Sequence, residues 1–437
     1  MARPRKRDPL NVFLNGRQVG SLRRQASGAI EFQYGADWLS WEHTQPVSLS
    51  LPLREDRYIG EPVIAVFDNL LPDSVPIRRR IAERVRADGD DAYSLLAKVG
   101  RDCVGALQFL PDGVTPGPAG EVEGRPIGAD YIAHKLGDLT ATPLGMDEDD
   151  EFRISLAGAQ EKTAFLFWKK KWHVPRGTAA TTHILKPQIG VLPSGIDLSQ
   201  SVENEYLCLK LTAAFGLPSA NVTVADFKGN RALVVERFDR HWTRDKRLLR
   251  LPQEDLCQAL SVPPSRKYES DGGPGVAAIL DLLKGSDEPE ADRRFFFKSQ
   301  AMFWLLCATD GHAKNFSIFL NPGGRFAMTP LYDVISAQPA IDRGEIRRTR
   351  IKLATAIGDN RHYAVDDIVP RHFMQMAARC GIPASVIRGM FGEFLEIEEA
   401  AVSNVTADLP ADFPMELARS VIDGLRRRLG LMRHMVG

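Results

Sequence analysis

The sequence has few cysteines and no cysteine motif: its 437 residues include five, at positions 103, 208, 257, 307 and 380. Their odd number and scattered spacing argue against a disulfide framework and against a zinc ribbon. Long apolar runs are missing too, and none approaches the ~18 residues that a membrane span needs. The basic start Met1–Arg7 is followed by Asp8 and Pro9 rather than by an apolar core, unlike a secretory signal. We therefore expect a cytoplasmic protein without membrane contacts.

Neither sign of charge dominates, because 56 lysines and arginines balance 56 aspartates and glutamates. No global field draws the chain to nucleic acid, so any such contact has to be local. The composition is that of an ordinary globular protein, and 44% hydrophobic residues are enough to bury a substantial core. We expect two or three substructures.

The patterns along the chain change character three times. They predict a β-rich region (1–110), a Pro/Gly-rich and acidic linker that holds the main boundary (111–150), a mixed α/β part (151–240) and a mainly helical part (241–437). In the first region, Asn15-Gly16 between Val12–Leu14 and Gln18–Leu22 is a hairpin signal, because this dipeptide supplies two positive φ angles.

The mixed part contains short β-type runs followed by one helical pattern. We predict strands at Phe152–Leu156, Thr163–Trp168 and His183–Lys186. A helix is expected near Leu198–Phe215, since its apolar residues have helical spacing and Gly216 would end it.

The segment ATDGHAKN at Ala308–Asn315 follows an apolar helix pattern and holds the spacing Asp-x-x-x-x-Asn. In phosphoryl transfer, an aspartate such as Asp310 can accept the proton of the acceptor hydroxyl, and an asparagine such as Asn315 can hold a metal ion on the phosphates. Alone the spacing is weak evidence, because it should occur by chance roughly once in a chain of this length. A plain helix-to-strand turn would use the same residue types.

A second carboxylate, Asp333, strengthens the case. Asn315 opens an apolar run at Phe316–Leu320, a turn at Asn321–Gly324 returns the chain, and the next run ends at Asp333. We expect this hairpin to bring Asp333 back beside Asn315, so that a carboxylate and an amide oxygen share a Mg²⁺ ion. A turn residue or a helix N-cap is the alternative for Asp333.

Upstream residues supply the types that a nucleotide site needs. Lys186 ends an apolar strand, where its ammonium could reach the α- and β-phosphates of ATP, and either Glu203 or Glu205 could pair with it. The segment Ser155–Lys162 has small residues at its tip, so its backbone N–H groups could approach phosphates closely, although it is not a Gly-x-Gly-x-x-Gly loop.

The run Ala232–Asp239 changes from apolar to charged, as expected where a chain links two lobes and presents backbone groups to an adenine. Each of these signals is weak by itself. Their order, however, is that of a kinase: covering turn, lysine strand, glutamate helix, linker strand, Asp/Asn turn and metal aspartate. The sequence therefore predicts an enzyme that transfers phosphate from Mg·ATP.

The same residues resemble the HipA-like serine/threonine kinases of bacterial toxin–antitoxin modules. The motifs that carry the resemblance are FDNLLPDS (Phe67–Ser74), GRDCVGA (Gly100–Ala106), FRISLAGAQEKTA (Phe152–Ala164), THILKP (Thr182–Pro187), SVENEY (Ser201–Tyr206), VERFDR (Val235–Arg240), LPQEDLCQ (Leu251–Gln258), KYESDGGPG (Lys267–Gly275), ATDGHAKNFS (Ala308–Ser317) and LYDVISA (Leu331–Ala337). The resemblance implies an α+β, two-lobed kinase-like fold distantly related to phosphoinositide 3/4-kinases, with a small β-rich N-terminal subdomain and an all-α C-terminal lobe.

The resemblance also implies a role for individual residues. Asp310 would be the catalytic proton acceptor, Asn315 and Asp333 the metal ligands, and Ser155 the self-phosphorylated serine. The nucleotide contacts it implies are Ala157, Gly158, Ala159, Gln160, Glu161, Lys162, Lys186, Glu236, Arg237, Phe238, His312, Ala313, Lys314, Asn315, Tyr332 and Asp333.

The implied cofactors are ATP and Mg²⁺, and the implied substrate is a serine of a translation enzyme, glutamyl-tRNA synthetase in the best-known member. The implied partner is a HipB-like helix-turn-helix antitoxin, through which operator DNA would mainly be reached. Two other readings stay open: a nucleotide-binding corepressor acting with a DNA-binding antitoxin, and an ATPase or small-molecule kinase that uses the same metal site. The intact set Asp310, Asn315 and Asp333 favours catalysis over binding alone.

Overall fold

The computed structural model describes residues 9–146 and 153–435. These residues form two compact units, each assembled from several stretches of the chain. The first comprises the described residues of Met1–Pro187, Ala225–Ser265 and Ser317–Phe326, and the second those of Gln188–Val224, Arg266–Phe316 and Ala327–Gly437. In the described parts of the chain, no helix has both the length and the apolar character that a membrane span requires.

The first unit begins with a five-stranded antiparallel sheet in the order β4-β3-β2-β1-β5. Its strands are β1 (Leu10–Leu14), β2 (Arg17–Arg24), β3 (Ile30–Tyr34), β4 (Tyr58–Ile59) and β5 (Leu107–Pro111). Between β1 and β2, Asn15 and Gly16 have φ of 45° and 85°. Two left-handed residues are what a type I′ turn needs, so the predicted hairpin is confirmed.

Four helices accompany this sheet, and the sequence patterns did not predict them. They are α1 (Ala36–Leu39), α2 (Glu61–Asp68), α3 (Val75–Arg84) and α4 (Ala92–Val99). The side chains of Ser74 and Asp91 cap α3 and α4 by accepting backbone N–H groups. Phe67 of α2 lies with its ring 5.5 Å from those of Phe32 on β3 and Phe109 on β5, so α2 shares the core of the sheet.

A second sheet, most of which belongs to the first unit, has six strands in the order β12-β13-β9-β7-β8-β6. The strands are β6 (Gly124–Ile127), β7 (Thr163–Trp168), β8 (Lys171–Pro175), β9 (His183–Pro187), β12 (Val222–Phe227) and β13 (Asn230–Glu236), and α5 (Ala129–Gly137) follows β6. The predicted strands at Thr163–Trp168 and His183–Lys186 are confirmed as β7 and β9. Because β9 pairs with both β13 and β7, Lys186 lies on an inner strand.

Several shorter strands belong mainly to the first unit. They are the pair β14 (Arg240–Trp242) and β15 (Leu248–Arg250), and the three-stranded sheet of β16 (Gln253–Asp255), β17 (Ser317–Asn321) and β18 (Arg325–Met328), with α7 (Leu256–Ala259) after β16. The side chain of Asp255 caps α7 in a capping box with Gln258.

The second unit is mainly helical. Its helices are α6 (Ser201–Ala214), α8 (Val276–Leu282), α9 (Pro289–Leu306), α10 (Gln338–Asp342), α11 (Pro370–Arg379), α12 (Ala384–Ala407) and α13 (Met415–Met432). Two small strand pairs belong to it as well, β10 (Gly190–Val191) with β11 (Asp197–Leu198) and β19 (Lys352–Ile357) with β20 (His362–Ala364). The buried Arg428 of α13 donates from Nε to the carbonyl of Leu305 on α9, 2.9 Å away, and joins these two helices.

The predicted strand at Phe152–Leu156 is wrong for its described part. Phe152 itself lies outside the described residues, as do the basic start and the acidic run 147–151, and Arg153–Leu156 has no strand assignment. The physical reason is that this segment bonds to loops instead of to a strand: the N–H of Ser155 donates to the carbonyl of Asp102, 3.0 Å away. The boundary placed within 111–150 stays a prediction, and the described residues on both sides of it belong to the first unit.

Candidate active site

The turn Ala157–Lys162 is closed on itself and lies in the first unit. Nζ of Lys162 donates to the carbonyl of Ala157 across 2.7 Å. Gly158 has φ of 103°, and a Cβ built on it would lie 2.7 Å from Nζ of Lys162, so conformation and space both favour glycine. The tip residue Ala159 is exposed. The turn thus holds the ammonium group of Lys162 beside a stretch of backbone that carries only small side chains.

Three contacts hold this turn in place. The carbonyl of Gly158 accepts from the N–H of Asp73 at 3.0 Å, and Glu161 forms an ion pair with Arg80. Nε2 of Gln160 donates to the carbonyl of Pro187 at 3.0 Å. The last contact brings the turn to the end of β9, directly after Lys186, as the covering turn of a nucleotide site would require.

Ser155 lies just before the turn and is fully buried. Its Oγ donates to the carbonyl of Leu70, 2.7 Å away, while its N–H donates to Asp102. The hydroxyl is therefore a structural hydrogen-bond donor in this conformation.

Lys186 is buried on β9 with Leu233 as its cross-strand partner on β13. The candidate glutamates, Glu203 and Glu205, are buried on α6 of the second unit. Oε2 of Glu203 accepts from Nε2 of Gln188 at 2.7 Å. The pairing of Lys186 with Glu203 or Glu205 stays a prediction.

The linker residues Glu236–Phe238 differ in their exposure and in their contacts. Glu236 is exposed, and Phe238 packs edge-on against Phe319 with ring centroids 6.0 Å apart. The buried guanidinium of Arg237 binds Asp239 through two bonds, of 2.9 and 2.7 Å, and also donates to Thr181 Oγ1 at 2.9 Å. The side chain of Arg237 is thus committed to the protein interior, and the nucleotide contact implied at Glu236–Phe238 stays a prediction.

Arg237 belongs to a buried ionic cluster that stabilises the first unit. Asp102, which is 2% exposed, accepts from Arg240 at 2.8 Å and from Arg250 at 3.0 Å. Burial alone would raise the pKa of Asp102, but Arg240, Arg250 and Arg237 outweigh it and hold that pKa below its usual range. The cluster is therefore charged at neutral pH, and removal of one member would leave a buried charge without compensation.

The turn Asp310–Asn315 lies in the second unit, where α9 ends. Cys307 ends that helix with φ of 54°, and Gly311 packs so closely on Phe303 that an added Cβ would lie 2.5 Å from its ring. A short 3-10 turn at Ala313–Asn315 follows, and its residues, like His312, are buried. The side chain of Asp310 remains 52% exposed, as an acceptor of a substrate proton has to be.

Asn315 is oriented by Asp310. Its Nδ2 donates to the carbonyl of Asp310 at 2.8 Å and lies 3.4 Å from Oδ2 of the same residue. Because the amide nitrogen faces Asp310, the amide oxygen of Asn315 lies on the opposite side of Cγ. This orientation leaves an oxygen of the kind that Mg²⁺ prefers.

Asp333 lies in a loop fixed to the same turn. It has φ of 55°, a left-handed conformation that is costly for most residues and that clusters at functional sites. The hydroxyl of the preceding Tyr332 donates to the carbonyl of Lys314 at 3.0 Å, which joins the loop to the residue before Asn315. The structure thus brings Tyr332 and its loop to the Asp310–Asn315 turn.

Two residues that sequence reasoning did not assign also act here. The amide of Asn204 on α6 donates to the carbonyl of Ser336 at 2.8 Å and accepts from its N–H at 2.9 Å, so it clamps the loop that carries Asp333. The hydroxyl of Tyr268 donates to Oδ1 of Asp310. Asn204 and Tyr268 belong to the family motifs SVENEY and KYESDGGPG, but the sequence of these motifs does not indicate which residues Asn204 and Tyr268 contact.

The residues present fit a Mg²⁺–nucleotide group. Mg²⁺ is usually held by one or two oxygen ligands of the protein together with substrate phosphates, and the amide of Asn315 and the carboxylate of Asp333 match that pattern. The oriented amide of Asn315 is the observation that supports the fit. In the first unit, Lys162 and Lys186 are buried cations of the kind that phosphate oxygens bind.

The first unit has an antiparallel sheet with a buried lysine on an inner strand. The second unit has an Asp-x-x-x-x-Asn turn followed by an aspartate. Together with the mixture of helices and sheets, these features are those of a two-lobed α+β fold of the kinase-like class. The chain belongs to the HipA family: the model "HipA-like C-terminal domain" matches residues 154–402, and the model "HipA N-terminal domain" matches residues 10–110. The expectation of a HipA-like serine/threonine protein kinase is thereby confirmed.

Individual proteins agree with this assignment. The chain is 33% identical to the putative kinase Y4mE of Sinorhizobium fredii over 414 residues, 94% of each chain. It is 29% identical to the serine/threonine-protein kinase toxin HipA of Shewanella oneidensis over 342 residues, 75% of each chain. The solved complex of Shewanella oneidensis HipA with HipB and its operator DNA matches with a TM-score of 0.80 at 25% identity, covering 98% of this chain and 99% of that one.

Proposed function

We propose that this chain is the kinase toxin of a type II toxin–antitoxin module and transfers the γ-phosphate of ATP to a serine or threonine hydroxyl of another protein. One observation carries the proposal: a half-exposed carboxylate, Asp310, orients the amide of Asn315 so that its oxygen is available to a cation. An aspartate and an asparagine in this relation suit proton acceptance and metal binding in phosphoryl transfer.

In the mechanism we propose, Lys186 and the turn Ala157–Lys162 would bind the phosphates of ATP, and Asn315 and Asp333 would hold Mg²⁺. The bound metal would neutralise charge on the phosphates. Asp310 orients the acceptor hydroxyl and takes its proton as the acceptor oxygen bonds to the γ-phosphorus and ADP leaves. The side chains thus contribute positioning and electrostatic stabilisation rather than a covalent intermediate.

The metal assignment can be tested by calorimetry. Asp333→Asn removes the charge of the carboxylate and should abolish Mg²⁺-dependent ATP binding, because one ligand charge is lost from the site. Asp359→Asn is the matched control, since Asp359 is an exposed aspartate of the same unit. Wild-type affinity in Asp333→Asn would remove Asp333 from the metal site.

For the substrate and the partner we propose a translation enzyme, with glutamyl-tRNA synthetase first, and a HipB-like helix-turn-helix antitoxin that reaches operator DNA. The support is the family and the solved HipA–HipB–operator DNA complex that this chain resembles. Labelled ATP, Mg²⁺ and a soluble lysate should yield one dominant labelled protein, identified by mass spectrometry. Release of labelled phosphate to water alone would instead indicate an ATPase.

We also propose that the kinase phosphorylates its own Ser155 and thereby inactivates itself. In the present conformation Ser155 Oγ is buried against Leu70, so the segment has to leave this position before the hydroxyl can accept phosphate. A phosphate of ~1.5 to 2 negative charges could not return to that buried position beside a carbonyl oxygen, and the adjoining turn Ala157–Lys162 would stay displaced. Ser155 should carry phosphate in wild-type protein and lack it in Asp310→Asn, and the phosphorylated form should bind ATP more weakly. Equal ATP affinities would refute the switch.

A further inference from the structure

Tyr268 contacts the proposed proton acceptor from a part of the second unit that the nucleotide assignments do not include. Its hydroxyl donates to Oδ1 of Asp310. Its ring meets the imidazole of His312 edge-on, with centroids 4.8 Å apart and planes at 88°. His312 is 2% exposed, and its Nε2 lies 3.4 Å from the same oxygen of Asp310. The hydroxyl of Tyr268 and the imidazole of His312 therefore both approach the same oxygen, Oδ1, of Asp310.

Several contacts restrict the loop that carries Tyr268 to one conformation. The N–H of Gly273 donates to the carbonyl of Tyr268 at 2.9 Å, and a Cβ on Gly273 would lie 2.1 Å from the carbonyl oxygen of Arg266. The carboxylate of Glu269, the next residue, accepts from the N–H of Ala356 at 2.7 Å and pairs with Arg361 at 3.2 Å. These contacts fix the loop on both sides of Tyr268, so its hydroxyl has a defined position.

The opposite oxygen of Asp310 is restrained as well. Oδ2 lies 3.4 Å from Nδ2 of Asn315, whose amide also donates to the backbone of Asp310. A carboxylate has about four lone-pair positions, so one bond to a phenol leaves room for an acceptor hydroxyl. The 52% exposure of the Asp310 side chain is consistent with such an open position.

We propose that Tyr268 is a positioning residue for phosphoryl transfer: its hydroxyl holds the plane of the Asp310 carboxylate so that a free lone pair meets the incoming serine or threonine hydroxyl. The proposal rests on the proposed role of Asp310. It concerns turnover rather than nucleotide binding, because the hydroxyl of Tyr268 donates to the carboxylate of the proposed proton acceptor.

The test is Tyr268→Phe, which keeps the ring against His312 and removes only the hydroxyl. Protein-bound label from γ-labelled ATP in a soluble lysate should form about tenfold more slowly at saturating ATP, the scale of losing one hydrogen bond to a charged group. The KM for ATP and the melting temperature should stay at the wild-type values. Tyr58→Phe is the matched control and should transfer at the wild-type rate, because its hydroxyl donates to the carbonyl of Pro52 in the first unit, whereas the Asp310 turn belongs to the second.

A double variant separates positioning from a general structural effect. If Tyr268 acts through Asp310, adding Tyr268→Phe to Asp310→Asn should change the residual transfer rate no further. A Tyr268→Phe protein that transfers at the wild-type rate or faster would overturn the proposal, and so would a loss that comes with weaker ATP binding. Full activity of Asp310→Asn would instead refute the proposed function itself, so the two failures are distinguishable.

Discussion

Asn204 offers a sharp test of how the loop around Asp333 is held. The amide of Asn204 spans the backbone of Ser336, donating to its carbonyl at 2.8 Å and accepting from its N–H at 2.9 Å. Asn204 is 4% exposed and Ser336 is 2% exposed, so water cannot easily replace either bond. The perturbation is Asn204→Ala, which removes both bonds and leaves two buried backbone groups without this partner.

The expected cost follows from those two groups. Each buried polar group that loses its partner costs about 1–3 kcal/mol, so the loss of two such bonds in Asn204→Ala should lower the free energy of unfolding by about 2–6 kcal/mol. Asn204→Asp has nearly the same shape, but it would set a carboxylate oxygen against the carbonyl of Ser336, and it should destabilise as well. Since Ser336 follows Asp333 by three residues, Mg²⁺-dependent ATP binding should also weaken.

Urea unfolding measures the stability, and calorimetry with Mg·ATP measures the binding. The matched control is Asn404→Ala, because Asn404 is an exposed asparagine of α12, and its stability should change by less than about 0.5 kcal/mol. A change below about 1 kcal/mol for Asn204→Ala, with wild-type ATP affinity, would refute the reasoning.

Three further predictions concern the first unit. Burial raises the pKa of Glu254 to about 8, so the folded protein keeps a proton that the unfolded chain releases above its ordinary pKa of 4.5. The free energy of unfolding therefore falls as the pH rises between these two pKa values. Glu254→Gln should be more stable than wild type by up to about 3 kcal/mol at pH 7, with no difference near pH 4, and denaturation at several pH values measures this. Gly158→Ala should weaken ATP binding in calorimetry about tenfold, whereas Gly177→Ala, at φ of 58° with open space around it, should not. Arg237→Leu should cost about 3–5 kcal/mol of stability in urea unfolding, and a loss of ATP affinity without that cost would return Arg237 to the nucleotide site.

Local chemistry made part of the fold predictable. The dipeptide Asn15-Gly16 specifies a type I′ turn through its own backbone preferences, and the strand Thr163–Trp168 is indicated by a run of apolar and aromatic residues. The helix signal near Leu198–Phe215 gave α6 with its end correctly near Gly216, which has φ of 77°. In each case the determining interactions are close in sequence.

What sequence reasoning missed depends on contacts distant in sequence. Arg153–Leu156 has the pattern of a strand, yet Ser155 bonds to Leu70 and Asp102, and these partners lie more than fifty residues away. The neighbours of Tyr268 and Asn204 lie 42 and 132 positions away. Periodicity carries no information about such pairs. The catalytic and ligand-binding residues could therefore be proposed from the sequence, but the residues that orient them could not.

The most direct test of the account compares binding with chemistry in Asp310→Asn. The amide keeps the shape of the side chain but accepts a proton poorly, so the variant should bind Mg·ATP with nearly wild-type affinity in calorimetry. In single-turnover experiments with γ-labelled ATP and a soluble lysate, it should transfer almost no phosphate to protein. Wild-type transfer by Asp310→Asn, or a collapse of ATP affinity while transfer survives, would contradict the assignment of Asp310 as the proton acceptor.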